Sequence, residues 1–205
     1  MTMAITNYAG TTAIAGIGAT EFSKDSGRTP MQLAVEACVR ACDDAGLDPS
    51  RVDGMVVFSA EMNPEIEVAR NLGITQLKHF SMIPHGGGAA CGTISQAAMV
   101  VASGQADYVL AYRAFNERSW HRFGGGVQSA PTGAEAMLTQ YSWTSPFGLL
   151  TPASWVAMFA TRYMHEYGAT SLDFGRIAVA DRKHAATNPK AHFYQRPITL
   201  EDHQN

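Results

Sequence analysis

Pro84-His85-Gly86-Gly87-Gly88-Ala89-Ala90-Cys91-Gly92-Thr93-Ile94-Ser95-Gln96-Ala97-Ala98-Met99-Val100-Val101-Ala102-Ser103-Gly104 is the stretch that decides the fold. Between His85 and Ser103 stand small residues and no Asp, Glu, Lys or Arg, so no face of this helix is marked for solvent. Such a pattern predicts a helix buried all round and approached closely by other backbones. Each Gly inside it costs about 1 kcal/mol relative to Ala, so packing or function must compensate. The turn Pro84 to Gly88 opens into the helix, the layout that points backbone N–H groups and a helix dipole at an anion or oxyanion. His85, Gly86, Gly87 and Gly88 are therefore candidate substrate or oxyanion residues, with tight packing and no ligand as the alternative. The glycines match neither GxGxxG nor GxxxxGK[ST], which argues against a nucleotide site.

Working outward, Thr12-Ala-Ile-Ala-Gly-Ile17 reads as a buried first strand. Thr29-Pro30-Met31-Gln32 has the capping residue, the proline and the Gln of a helix start, and Gly46 ends that helix. Met55 to Phe58 is a second strand, Pro64 to Leu72 a short helix, Phe80 to Ile83 a third strand and Tyr108 to Tyr112 a fourth. This alternation predicts an α/β layered domain whose covered sheet is mixed but mostly parallel. Beyond Phe115, Trp120, His121, Arg122, Gly124 to Gly126, Tyr141 and Trp143 form an aromatic and Gly-rich excursion without periodicity, the mark of a functional loop. Thr151-Pro152 starts a helix with Trp155, Phe159 and Tyr163 on one face, ended by Gly168. Ser171 starts another that must stop at Asn188-Pro189, and Pro197 to Asp202 opens a further element. The expected division is a core at 1–115, a loop and lid region at 116–188 and a tail at 189–205.

The 205 residues are 46% apolar and 16% charged, ordinary globular material. A net charge of -3 and unclustered Lys and Arg argue against nucleic acid as partner. No apolar run of about 18 residues and no signal-peptide layout occur, so no membrane span and a cytoplasmic location are expected. Cys38, Cys42 and Cys91 suit reduced thiols, Cys38 and Cys42 as core. Cys91 reads as a small buried apolar residue, or else as a nucleophile near a helix N-terminus. The 7 histidines form no HExxH pattern, so no metal is expected. His85 and His121 adjoin glycine-rich loops and can serve as acid, base or thioester donor, a structural role being the alternative. Arg182-Lys183-His184 can meet phosphates by charge-assisted hydrogen bonds, or cap a solvated helix end. No GxSxG occurs, against an α/β-hydrolase.

Four stretches together resemble the lipid-transfer-protein branch of the thiolase superfamily, which includes the sterol-carrier-protein thiolases. They are Ile14-Ala-Gly-Ile-Gly-Ala-Thr-Glu-Phe-Ser23; Pro84 to Gly104 with Ala106-Asp107; Tyr163-Met-His-Glu-Tyr-Gly-Ala-Thr170; and Arg182 to Ala191 followed by Ile198 to Asp202. The resemblance implies a thiolase-like half, its second half lying outside this sequence, with the small-residue helix at its centre. In thiolases the reactive Cys stands a fixed distance before the Gly that ends this helix. Counted from Gly104, that position falls near Gly87, and Cys91 lies about one helical turn later.

A member without the Cys resembles the steroid side-chain aldolases of actinobacteria. They cleave a β-hydroxyacyl-CoA by retro-aldol reaction to a ketone and a shortened acyl-CoA such as propanoyl-CoA, alongside a small OB-fold and zinc-ribbon partner. That reaction needs a base for the β-hydroxyl and donors for the thioester enolate, and neither requires a thiol. His121, Tyr141 and Tyr163 are the candidate bases, and Arg182 and Lys183 the candidate CoA-phosphate contacts. The resemblance further implies a homodimer, an acyl-CoA substrate and no separate cofactor. The rival expectations are a non-catalytic acyl-CoA or lipid carrier, a scaffold subunit, and a thiolase acting through Cys91.

Overall fold

The computed structural model describes residues 8–59, 61–84, 89–117 and 142–205. The chain divides into two compact units, Met1–Arg122 and Phe123–Asn205.

In the first unit, helix α1 (Pro30–Asp44) starts at the anticipated capping box, with Thr29 accepting from the Gln32 amide and the Gln32 side chain accepting from the Thr29 amide. Strand β1 (Gly54–Phe58) is buried at every residue. Helix α2 (Glu65–Asn71) carries the chain to β2 (His79–Ile83), and α3 (Gly92–Ala102) carries it on to β3 (Val109–Ala111). The strand order is β2-β1-β3 and both pairings are parallel, with Met55 opposite Phe80 on one side and Leu110 on the other. Parallel neighbours require crossovers, which α2 and α3 supply. Side chains alternate along a strand. Met55 and Val57 therefore join Leu33, Cys38 and Cys42 of α1 and Val68 of α2 in the core, while Val56, also fully buried, points to the other face, where α3 packs. The layered α/β expectation holds, as does the core reading of Cys38 and Cys42.

Three sequence expectations need correction. Thr12 to Ile17 is not a strand: the segment has no regular secondary structure and is mostly exposed, with Ile14 at 72% and Ile17 at 77%. Its glycines mark contact with a helix rather than with a sheet. A Cβ on Gly16 would sit 2.2 Å from the Ala41 carbonyl oxygen, and one on Gly18 would sit 2.2 Å from that of Ala37. The Ile17 amide donates to Asp44 Oδ2 at 2.9 Å, and Arg40 Nη1 donates to the Ala19 carbonyl at 2.6 Å. Nor is the small-residue helix buried all round. Only Thr93 and Val100 of α3 are buried, and Ile94 and Met99 are 47% and 42% exposed, because α3 meets the sheet along one face. Cys91, expected among buried residues, is exposed for the same reason.

Among its described residues, 142–205, the second unit is helical and has no strand. Thr151 caps α4 (Pro152–Tyr167) by accepting from the Ser154 amide, and Gly168, at φ 64°, ends it in the left-handed conformation that glycine adopts without strain. A Thr170–Asp173 capping box opens α5 (Ser171–Thr187), and a Thr199–Asp202 box opens the short α6 (Leu200–Gln204). A Cβ on Gly175 would lie 2.9 Å from His203 Nδ1, so the missing side chain lets α6 settle on α5. Among the described residues no helix is long and apolar enough to cross a membrane.

Candidate functional site

A parallel sheet gathers the carboxyl ends of its strands at one edge, where open α/β folds place their ligands. Here that edge carries Phe58, Ile83 and Ala111. In sequence, Pro84 and residues 85–88 lie between Ile83 and α3, and the aromatic, Gly-rich residues follow β3. The described residues that precede two of the sequence-selected regions, Pro84 and Phe115, thus follow strands that end at this edge.

The edge is organised by groups that sequence reasoning did not select. Glu61, just past β1, accepts through Oε1 from the amides of Met62 and Asn63, at 2.9 and 2.8 Å, and from Asn63 Nδ2. Through Oε2 it accepts from the Ala114 amide at 2.7 Å, joining the chain after β1 to the chain after β3. The buried Tyr112 hydroxyl donates to the Asn63 carbonyl at 2.8 Å. Burial first, and then the Glu61 charge, push the Tyr112 pKa far up. Arg113 lies 5.1 Å over the Phe58 ring and 4.1 Å over the Phe115 ring, and pairs with Glu117 at 3.5 Å. Asn116 Nδ2 donates to the Arg28 carbonyl at 2.6 Å. The one sequence signal for this clamp was an acidic residue three positions after a wholly apolar strand.

The opposite edge is closed by Asp53. Its Oδ1 accepts from the amides of Asp107 and Tyr108, both at 2.9 Å, and its Oδ2 meets Lys78 Nζ at 2.8 Å. Burial alone would raise the Asp53 pKa, but the Lys78 ammonium and the two amides outweigh it and hold the carboxyl below its ordinary range. This is a structural anchor, at the end of the sheet opposite its carboxyl edge.

His85, Gly86, Gly87, Gly88, His121 and Tyr141 lie outside the described residues. Cys91 stands exposed at the start of α3 with no side-chain capping bond. Tyr163, in the second unit, is half exposed on α4, its ring 4.8 Å from Tyr167 and 6.5 Å from Phe174. On α5, the Arg182 guanidinium lies 3.8 Å over the Phe193 ring and donates to the Arg196 carbonyl at 3.3 Å, while Lys183 is exposed. An open depression of ≈ 480 Å³ on α4 is lined by Ala157, Met158, Thr161, Arg162 and His165, and not by Tyr163. Among the described residues no cluster of three or more His, Cys, Asp or Glu is placed to hold a metal.

No family model matches the chain. It is 66% identical over 196 residues to the steroid side-chain-cleaving aldolase of Thermomonospora curvata, covering 96% of this chain and 50% of that protein. It is 58% identical over 196 residues to the 17-hydroxy-3-oxo-4-pregnene-20-carboxyl-CoA lyase of Mycobacterium tuberculosis, covering 96% and 51%. The chain spans about half the length of these curated relatives. Among solved structures, an Ltp2-ChsH2(DUF35) aldolase superposes with a TM-score of 0.82 at 66% identity, over 94% of this chain and 48% of that one. A monomeric SCP2-thiolase-like protein from Mycobacterium smegmatis shares the fold, with a TM-score of 0.60 at 21% identity over 92% and 38%.

Proposed function

We propose, from the premise that this chain is a thiolase-fold relative of the steroid side-chain-cleaving aldolases, that the intact protein is a carbon–carbon lyase acting on a steroid side-chain CoA thioester. The observation that carries this is 66% and 58% identity, across nearly the whole chain, to two proteins named for that chemistry. A 17-hydroxy-3-oxo-4-pregnene-20-carboxyl-CoA substrate has its hydroxyl β to the thioester carbonyl. A base removes the hydroxyl proton, the oxygen lone pair forms the ketone, and the bond between the α and β carbons breaks with its electrons passing into a thioester enolate. Protonation at the α carbon yields propanoyl-CoA and leaves the steroid as a 17-ketone.

The enolate oxygen needs donors, and His85, Gly86, Gly87 and Gly88, which lie in sequence between β2 and α3, are the proposed source. His121, Tyr141 and Tyr163 are the proposed bases, and Arg182 and Lys183 the proposed CoA-phosphate contacts. The same reading takes 1–115 as the core, 116–188 as loop and lid, and 189–205 as a tail leading on. It assigns no cofactor beyond the CoA ester, a cytoplasmic location, a homodimer, and a complex with a small OB-fold and zinc-ribbon partner. The solved Ltp2-ChsH2(DUF35) aldolase supports a partner complex in general.

The exposed Cys91 keeps acyl transfer through a thiol open as a second reading. The experiment is cleavage of the CoA thioester by intact protein carrying Cys91→Ser. Propanoyl-CoA release within about threefold of wild type supports the lyase, whereas a loss of about 10³-fold or more, with acylation of wild-type Cys91, supports the thiol mechanism.

A further inference from the structure

We propose that the exposed turn after α5, residues 188–196, is the seat for the adenine and 3′-phosphate end of the CoA thioester, which deepens the lyase reading above and rests on it. Between positions 182 and 196 stand Arg182, Lys183, Lys190 and Arg196 and no Asp or Glu, in a chain whose net charge is -3. Four cations are too few to track a nucleic acid, but they suit the 3′-phosphate and diphosphate of a single nucleotide. Beside them stand two aromatic side chains, Phe193 and Tyr194, each 40% exposed. Aromatic rings interleaved with cations hold nucleotides without base readout: the ring stacks on the base and the cations meet its phosphates.

The turn is pinned to the helix before it. The Gln195 amide donates to the Ala186 carbonyl in the last turn of α5 at 2.9 Å, and Arg182 Nη1 donates to the Arg196 carbonyl at 3.3 Å. The Arg182 guanidinium covers the Phe193 ring at 3.8 Å, and the His192 ring meets Phe193 edge-on at 5.0 Å. Gln195 stands at φ 58°, the one non-glycine residue with positive φ among the described residues. A side chain disfavours that conformation, which persists only where the surroundings over-determine it. Here the contacts to α5 do so. A platform already ordered loses less freedom when a ligand arrives. Arg182 serves the seat twice, because its plane backs Phe193 while its five N–H donors outnumber the single carbonyl at Arg196, leaving donors for a phosphate.

The experiment measures binding of CoA and of 3′-dephospho-CoA to the intact protein by calorimetry, so it reads the seat without turnover. It compares wild type, Lys190→Gln with Arg196→Gln, Phe193→Leu, Arg182→Lys, and Arg176→Gln, which removes a charge near the start of α5. Wild type should prefer CoA about 10-fold. The double variant should weaken CoA about 10-fold and 3′-dephospho-CoA less than about threefold, so that the preference collapses. Phe193→Leu should weaken both about 5- to 50-fold through lost stacking. Arg182→Lys keeps the charge but not the plane, and should weaken both about fivefold. Arg176→Gln should match wild type. In cleavage assays the seat variants should raise KM with kcat within about threefold. No preference for CoA in wild type, or an equal loss from Arg176→Gln, overturns the seat. So do variants that bind CoA normally but lose a protein partner, which would give the patch to an acidic protein surface. Amide exchange along α5 identifies any variant that misfolds, and the double variant, in two exposed side chains, then decides. Propanoyl-CoA release with KM unchanged in every variant sinks the seat and leaves the lyase reading standing; the predicted CoA binding without any release sinks the lyase reading and leaves the seat.

Discussion

Replacing Asp53 tests how the first unit is held together. Its carboxylate is nearly buried and collects the amides of Asp107 and Tyr108, at 2.9 Å each, together with the half-exposed Lys78 ammonium at 2.8 Å. Asp53→Ala strips both amides of their acceptor. Each unsatisfied donor costs about 1–3 kcal/mol, and the lost pairing with half-exposed Lys78 adds under about 1 kcal/mol, so a destabilisation of about 3–4 kcal/mol follows. Asp53→Asn keeps an oxygen for the amides but presents an NH2 group to Lys78, and should cost about 1–2 kcal/mol.

The pH dependence has a definite sign. The folded-state pKa of Asp53 lies below its ordinary value, so ionised Asp53 contributes stability above the unfolded-state value near 4 and loses it as pH falls through the lower folded-state value. The gap between wild type and Asp53→Asn should thus be constant from about pH 7 to 5 and close progressively below about pH 4. Because the chain has two compact units, native-state exchange of the Met55 to Val57 amides reports the right one. A cost under about 1 kcal/mol for Asp53→Ala, or a gap that does not narrow in acid, would refute this reasoning.

Gly18→Ala should release the 13–19 segment from α1 at a cost of about 2–3 kcal/mol. The new Cβ meets backbone atoms at 2.2 and 2.4 Å that cannot yield, and faster exchange or proteolysis of that segment would show it. In native protein, maleimide should label Cys91 alone. Cys38 and Cys42 are 2% exposed, and burial pushes the Cys38 thiol up to about 12, so both should react only after unfolding; rapid labelling of all three would contradict the packing. Met55→Ala, at the centre of β1 and fully buried, should cost about 2–5 kcal/mol by denaturant midpoint, and under about 1 kcal/mol would mean that the core is misassigned.

Elements defined by local chemistry were legible in the sequence. Thr29-Pro30 with Gln32, Thr151-Pro152 and Gly168 specify helix ends through contacts within a few residues, and all three appear in the structure. The apolar run at β1 was legible because its burial is symmetric. What failed depended on distant partners. The spacing of Gly16 and Gly18 reads equally as a buried strand or as a backbone lying on a helix, and only the position of α1 decides. The uncharged α3 looked buried throughout, although within this unit it meets the sheet along one face and leaves Ile94 and Met99 exposed. Glu61 was illegible as a clamp because its partner Ala114 lies 53 residues away. The Glu61 clamp emerges only once three parallel strands share a direction.

The central claim is tested most directly by supplying the intact protein, with and without the proposed OB-fold and zinc-ribbon partner, with 17-hydroxy-3-oxo-4-pregnene-20-carboxyl-CoA and quantifying CoA esters and steroid by mass spectrometry. The account predicts propanoyl-CoA and the steroid 17-ketone in equal amounts, with no free CoA consumed and no acyl group on Cys91. Binding without products, or an acylated Cys91 with CoA-dependent chain cleavage, would contradict it.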